Sequence, residues 1–274
     1  MKKILFYGNC QAAVIGEWLH NNYSHKFDVV DCRDCGLEGF WGTKNFAVWS
    51  PENSPKQQNY YPYIHEKIKE ADVFVFTSTE KASIYELKTD YLCSEIAKDK
   101  LNICLPNTRF FAYPTCTVSV IPFIKYVYQH ISQDENVIID YFLNNNDPEF
   151  KKLVFSLLQS SMDDNILRHQ LNLTKYENVI EINDFIKENW NKHLLFGQSN
   201  HPVGLYWSEL IRSIFNLLDE PLEEETLKSI NYPNKDGIYN IMDISFFKNI
   251  APTINIPIEI PQSTITKTIL KYPL

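Results

Sequence analysis

The stretch Ile4-Leu5-Phe6-Tyr7-Gly8-Asn9-Cys10-Gln11-Ala12-Ala13-Val14-Ile15 decides the fold. Its four leading apolar residues, halted by a glycine, predict a strand over Ile4–Tyr7. From Gln11 to Asn21 the period changes, and Ala12, Ile15, Trp18 and Leu19 fall on one helical face. The strand therefore passes directly into a helix through Gly8-Asn9-Cys10, which is the opening half of a β-α-β unit.

Outward from this unit the alternation repeats. Phe27–Cys32 reads as a second strand, followed by an irregular aromatic segment from Arg33 to Tyr63. Ile64–Ala71 is helical and leads into a strand over Asp72–Thr77, whose Val-Phe-Val-Phe centre suits burial on both faces. A helix over Ile84–Lys98 precedes a fourth strand, Leu101–Leu105, ended by Pro106-Asn107. Strands alternating with helices predict an α/β fold built on a parallel sheet. The strand exits, Gly8–Gln11, Cys32–Asp34, Thr77–Glu80 and Pro106–Arg109, then share one carboxyl edge, where open α/β sheets bind ligands.

The second half of the chain is largely helical. Helices are expected over Val118–Ile131, over Pro148–Ser160 with Asn146 or Asp147 as cap, and over Asp163–Leu171 and Asp184–Trp190; Val137–Phe142 suits strand or helix. Pro202 is expected to open an amphipathic helix reaching Leu218, with Leu210, Ile211, Ile214 and Phe215 on its apolar side. After Pro233 come short extended pieces broken by prolines. No repeat or linker divides the sequence, so the expectation is a single α/β domain over 1–274. Within it, 1–116 form the parallel-sheet core, 117–232 a helical portion completing the active site, and 233–274 an extended tail packed on the body.

Composition narrows the function classes. With 26 Lys+Arg against 34 Asp+Glu the formal net charge is −8, so the surface repels nucleic acid and anionic lipid, and a phosphate-bearing ligand needs a local cationic pocket. Six cysteines in 274 residues are too sparse for a disulfide scaffold, and Cys93, Cys104 and Cys116 sit among apolar residues, which points to a reducing compartment. The apolar run at the start stops at Gly8, short of a signal-peptide core, and no apolar stretch approaches the roughly 20 residues of a membrane span. A cytoplasmic protein without a leader or a span is expected.

Cys10 is the first chemical candidate. At a strand-to-helix turn the amides of the first helical turn and the helix dipole favour a thiolate or hold an oxyanion, while Gly8 permits close approach and Asn9 and Gln11 supply amide donors. The alternative is a buried packing cysteine. His201 is the second, in Gly197-Gln198-Ser199-Asn200-His201-Pro202, a polar loop that can deliver a neutral imidazole as a proton acceptor; the alternative is a capping or surface histidine. Cys32-x-x-Cys35 has the spacing of a zinc half-site or redox pair, yet no second pair of ligands accompanies it, so no metal is expected. No Walker loop, G-x-G-x-x-G or G-x-S-x-G occurs. The acidic run Asp219–Glu225 is expected to be structural: a helix end, a turn and the first turn of the next helix.

Tyr7-Gly8-Asn9-Cys10-Gln11, then Leu105-Pro106-Asn107-Thr108-Arg109-Phe110-Phe111-Ala112-Tyr113-Pro114, then Asn200-His201-Pro202 occur in one order. Together they resemble the WcbI-type polysaccharide biosynthesis acetyltransferases over roughly residues 1–220. The resemblance implies an SGNH-hydrolase-like or flavodoxin-like core and acetyl transfer from acetyl-coenzyme A to a carbohydrate or nucleotide-sugar acceptor in capsule or surface polysaccharide formation. It places Gly8-Asn9-Cys10-Gln11 at the nucleophile turn, His201 at the late histidine and Asn107 at the oxyanion asparagine. The Asp usual three residues before that histidine is here Gln198.

The phosphates of coenzyme A require converging cations, for which Arg109, Arg33, Lys81 and Lys44, near the expected carboxyl edge, are the candidates, with Gly8, Ser78 and Asn200 as polar contacts. Two rival readings stand beside this one. An SGNH-like esterase or thioesterase would use Cys10 and His201 with water as acceptor, and a non-catalytic carbohydrate- or nucleotide-binding protein would use the many tyrosines and tryptophans for stacking.

Overall fold

A computed structural model describes residues 1–30, 64–78, 85–96, 99–110, 129–132, 134, 137, 148–193, 195–198 and 201–230. For Cys10 and His201 the description covers the backbone alone. Cys32, Arg33, Cys35, Lys44, Lys81, Cys116 and Asn200, the helix expected over Val118–Ile131 apart from its last residues, nearly all of Val137–Phe142 and the tail after Pro233 lie outside the described residues.

The described chain forms two compact units. The first comprises Met1–Asn107, Leu167–Ile182 and Ser208–Ile230, and is built on a five-stranded parallel sheet. Its strands are β1 (Lys2–Tyr7), β2 (Phe27–Val30), β3 (Val73–Thr77), β4 (Leu101–Leu105) and β5 (Asn178–Val179), in the order β2-β1-β3-β4-β5. Because Leu5 pairs with Phe74 and Tyr7 with Phe76, alternate residues of β1 and β3 share a face. Leu5, Tyr7, Phe74 and Phe76 form one buried layer, in which the rings of Phe74 and Phe76 stack at 4.9 Å and Tyr176 meets Phe76 edge-on at the same distance.

Ile4, Phe6, Val73 and Val75 face the opposite way. Helix α1 (Cys10–Tyr23) packs there closely enough that a Cβ on Gly16 would lie 3.1 Å from the Phe6 ring. Burial on both faces is why these strands read as continuous apolar runs rather than as alternating ones. At the β2 margin, Phe215 closes the core with its ring 4.9 Å from that of Tyr23 and 6.0 Å from that of Phe27.

The second unit contains the described residues of Thr108–Ile166 and Asn183–Trp207. It includes an antiparallel pair, β6 (Phe196–Gln198) and β7 (His201–Pro202). Phe196 stacks on Phe110 with centroids 4.9 Å apart and planes 8° from parallel, and Tyr206 packs on Phe196 at 5.2 Å. A short helix, α4 (Asn183–Asn189), belongs here, and the ring of Trp190 just after it meets Phe155 edge-on at 6.4 Å.

Four sequence expectations are corrected. The helices expected over Pro148–Ser160 and Asp163–Leu171 are one helix, α3 (Pro148–Leu173): no proline or glycine interrupts the segment, and the Ser161 hydroxyl is taken up inside the helix by the Leu157 carbonyl at 2.7 Å. The helix expected over Ile84–Lys98 is a 3-10 turn (Tyr85–Leu87) and a six-residue helix, α2 (Thr89–Ser94). Lys88 between them is extended, with ψ 140°, while the buried Thr89 hydroxyl sits 2.9 Å from that of Tyr176, a tertiary bond no local pattern announces. Pro202 does not open a helix. It pairs with Phe196 in β7, and α5 (Leu205–Leu218) starts only after Gly204 turns the chain with φ +43°. His201 accordingly lies in a strand, opposite Gln198, rather than in a loop. Strand β5 was not anticipated; the Ile180 N–H, donating to the Cys104 carbonyl at 3.0 Å, continues its contact with β4.

Candidate active site

The chain passes from β1 to β2 on one side of β1, then returns to form β3 on the other. The crevice between β1 and β3 is thus the topological switch point, where doubly wound sheets of this strand order bind their ligands. Gly8-Asn9-Cys10 leaves β1 there, and Thr77 ends β3 beside it. Gly8 adopts φ +123°; a Cβ at this position would overlap Thr77 Oγ1 and lie 3.0 Å from the main-chain N and O of Thr77. Only glycine fits both the dihedral and the space.

Asn9 follows in an extended conformation and caps α1, its Oδ1 accepting the Gln11 N–H at 2.9 Å. Its own N–H donates to Thr77 Oγ1 at 2.8 Å, and its Nδ2 donates to Asn107 Oδ1 at 3.2 Å, just beyond the end of β4. One asparagine therefore joins the exits of β1, β3 and β4. Cys10 is the first residue of α1, a position whose main-chain N–H has no intrahelical acceptor. No acidic side chain stands in that first turn to offset the positive end of the helix dipole.

This geometry redistributes the expected roles. The Gln11 N–H, expected to face an anion, is bonded to Asn9, and the Gln11 side chain is buried. Asn9 holds neighbours with both ends of its carboxamide, so it organises the turn. Among the described residues, the donors that can meet an anion include the Cys10 N–H, by its helical position, the Asn107 Nδ2, whose oxygen is already held by Asn9, and the second hydrogen of Asn9 Nδ2. Hydrogen-bond donors preset at a helix N-terminus can stabilise an oxyanion or a thiolate.

No protein-family model matches the sequence, and no curated protein matches it. Among solved structures, WcbI, described as a novel polysaccharide biosynthesis enzyme, aligns with a TM-score of 0.60 at 15% sequence identity, over 89% of this chain and 79% of its own. The fold is that of WcbI. That structure is the native WcbI without a disulfide bond between coenzyme A and one of its cysteines. At this identity the likeness to WcbI is one of fold.

The remaining expected residues of this WcbI-like chain fall as follows. Ser78 is half-buried after β3 and hydrogen-bonds Tyr176, whose hydroxyl also donates to Asp90 and meets Thr89; burial holds that phenol well above its ordinary value. The Ser78 side chain is thereby tied to a structural network. In the second unit, Arg109 is exposed, and its main chain is held on both sides by the buried Asn165: the Arg109 N–H donates to Asn165 Oδ1 at 3.0 Å, and Asn165 Nδ2 donates to the Arg109 carbonyl at 2.8 Å. Thr108 is buried with its hydroxyl 2.7 Å from that of Tyr206. The acidic run is structural as expected. Glu220 pairs with Lys26 at 2.6 Å and Lys2 at 3.3 Å, and Glu224 pairs with Arg212 at 2.7 Å.

Sequence reading missed Thr77 and Asn165. A threonine closing an apolar strand and an asparagine inside a long helix carry no local signal of what they hold. Among the described residues no group of acidic, histidine or cysteine side chains could bind a metal ion, and no helix is long and apolar enough to cross a membrane.

Proposed function

We propose that the protein transfers an acetyl group from acetyl-coenzyme A to a carbohydrate hydroxyl in the biosynthesis of a capsular or surface polysaccharide, in the cytoplasm. The observation that carries this reading is the Asn9-centred turn. It sets Cys10 at the N-terminus of α1 with the Asn107 carboxamide held beside the turn, on a fold shared with a polysaccharide biosynthesis enzyme described with coenzyme A.

In the covalent route the Cys10 thiolate attacks the thioester carbonyl, the carbon–sulfur bond to coenzyme A breaks, and coenzyme A leaves as a thiolate that takes up a proton. The sugar hydroxyl, deprotonated by His201 as general base, then attacks the acetyl-cysteine and releases the Cys10 thiol. Exchange of one thioester for another is nearly isoenergetic. In the direct route His201 deprotonates the sugar hydroxyl for attack on acetyl-coenzyme A itself. The Cys10 N–H and Asn107 Nδ2 stabilise the oxyanion in either route, each contributing on the order of 3 kcal/mol. Arg109, with Arg33 and Lys81, meets the phosphates of coenzyme A, and Ser78 and Asn200 are further contacts to it.

The test is radiolabelled acetyl-coenzyme A with and without a panel of sugars and nucleotide sugars. Sugar-dependent label transfer, lost in His201→Ala, is expected. A stable acetyl-enzyme that disappears in Cys10→Ala marks the covalent route. Rapid release of coenzyme A without any sugar would establish a thioesterase instead. No turnover with any acceptor, together with unchanged ligand affinity in both variants, would establish a binding protein.

A further inference from the structure

Thr77 closes β3 and is fully buried. Its Oγ1 accepts the Asn9 N–H at 2.8 Å and fills the space that a side chain on residue 8 would need. Of its remaining bonds, those to the Gln11 N–H and to Asn107 are made by its side chain, and its carbonyl accepts the Ala13 N–H at 3.4 Å within the first turn of α1, so none of them joins the main chain of Asn9 to a strand. The bond to Thr77 ties that main chain to the sheet. It lies one residue before Cys10, and it sets where α1 begins relative to β3 and β4.

We infer that Thr77 is a positioning residue for Cys10. Acting through Asn9, and without touching substrate, it holds the first amide of α1 and the Asn107 carboxamide at a fixed separation. The threonine hydroxyl and the glycine at position 8 are two halves of one device: the missing Cβ admits the oxygen, and the oxygen anchors the turn. This inference rests on the acyl-transfer reading of Cys10. Its physical basis is that a site held only by side-chain bonds tolerates shifts that a main-chain bond to a rigid strand does not, and displacements of about 1 Å cost catalysis heavily.

The experiment compares wild type, Thr77→Val and Thr77→Ser, with matched circular dichroism and thermal midpoints. Iodoacetamide labelling of Cys10 is followed against pH by peptide mass spectrometry, and kcat and KM are measured for acetyl transfer. In wild type the labelling midpoint should lie below that of an ordinary thiol. Thr77→Val, which keeps the shape and removes the hydroxyl, should raise the midpoint, slow labelling at neutral pH roughly tenfold and lower kcat by a similar factor, with KM for acetyl-coenzyme A unchanged. Thr77→Ser should restore the wild-type profile. An activated Cys10 whose profile is identical in Thr77→Val overturns the role of Thr77 and leaves the acyl-transfer reading standing. An ordinary thiol in wild type overturns the covalent route through Cys10 and, with it, the role of Thr77. If Thr77→Val does not fold, the serine variant decides, because loss of the profile with the hydroxyl retained is incompatible with the inference.

Discussion

Asn9 uses its main-chain N–H and both ends of its carboxamide to hold Thr77, Gln11 and Asn107. Such a residue is mainly engaged by its neighbours, which separates it from Cys10 beside it and from Asn107 at the end of β4. Gly8 is as constrained as Asn9 is engaged. Any side chain there meets Thr77 at φ +123°. Gly8→Ala should therefore destabilise the protein by about 3 kcal/mol, the sum of left-handed strain and overpacking against main chain that cannot move. Urea unfolding measures this. Thr77→Ala should not rescue it, since the Thr77 N and O remain 3.0 Å from the new carbon. A loss below 1 kcal/mol would mean that the turn is softer than these contacts require.

At the scale of elements, the continuity of α3 has a consequence for ligand binding. Asn165 in this helix grips the main chain of Arg109 on both sides, as a neighbouring strand would, and leaves the guanidinium exposed. No carboxylate pairs with that guanidinium among the described residues, so it is available to an anion. Arg109→Ala should weaken coenzyme A binding roughly tenfold, and the difference should shrink at high salt because the pairing is exposed. Isothermal titration at two ionic strengths tests this. Equal affinity in the variant and wild type removes Arg109 from the phosphate contacts.

For the whole molecule, pH stability follows from a few groups in the sheet-bearing unit. Hydrogen bonds from Lys26 and Lys2 hold the Glu220 carboxyl below its ordinary value of 4.5. A depressed carboxyl contributes stability above the ordinary value, and that contribution is lost as pH falls through the folded one. Burial pushes the Cys93 and Cys104 thiols up to about 12 from an ordinary 9.0. Groups raised in this way contribute stability below pH 9.0, and lose it as pH rises towards 12. The thermal midpoint should therefore be flat near neutrality and fall below about 4.5 and above about 9. The acid limb should be shallower in Glu220→Gln and the alkaline limb shallower in Cys93→Ser. Unchanged limbs in both variants would show that other groups control the profile.

The parallel sheet, the strand-to-helix turn at Gly8–Cys10 and the amphipathic run ending at Leu218 were legible in the order of residues, because strand burial, helical period and glycine punctuation are local properties of a chain. Pro202 misled for the same reason: proline at a helix start is a sound local signal, yet pairing of Pro202 with Phe196 and the turn at Gly204 moved the start to Leu205. What tertiary structure alone decided is which polar groups are already taken. The Gln11 N–H belongs to Asn9, the Asn9 N–H to a threonine 68 residues away, and the Arg109 main chain to an asparagine 56 residues away. A hydrogen bond depends on separation in space, and no pattern in the chain encodes that distance until the sheet brings its strand ends together.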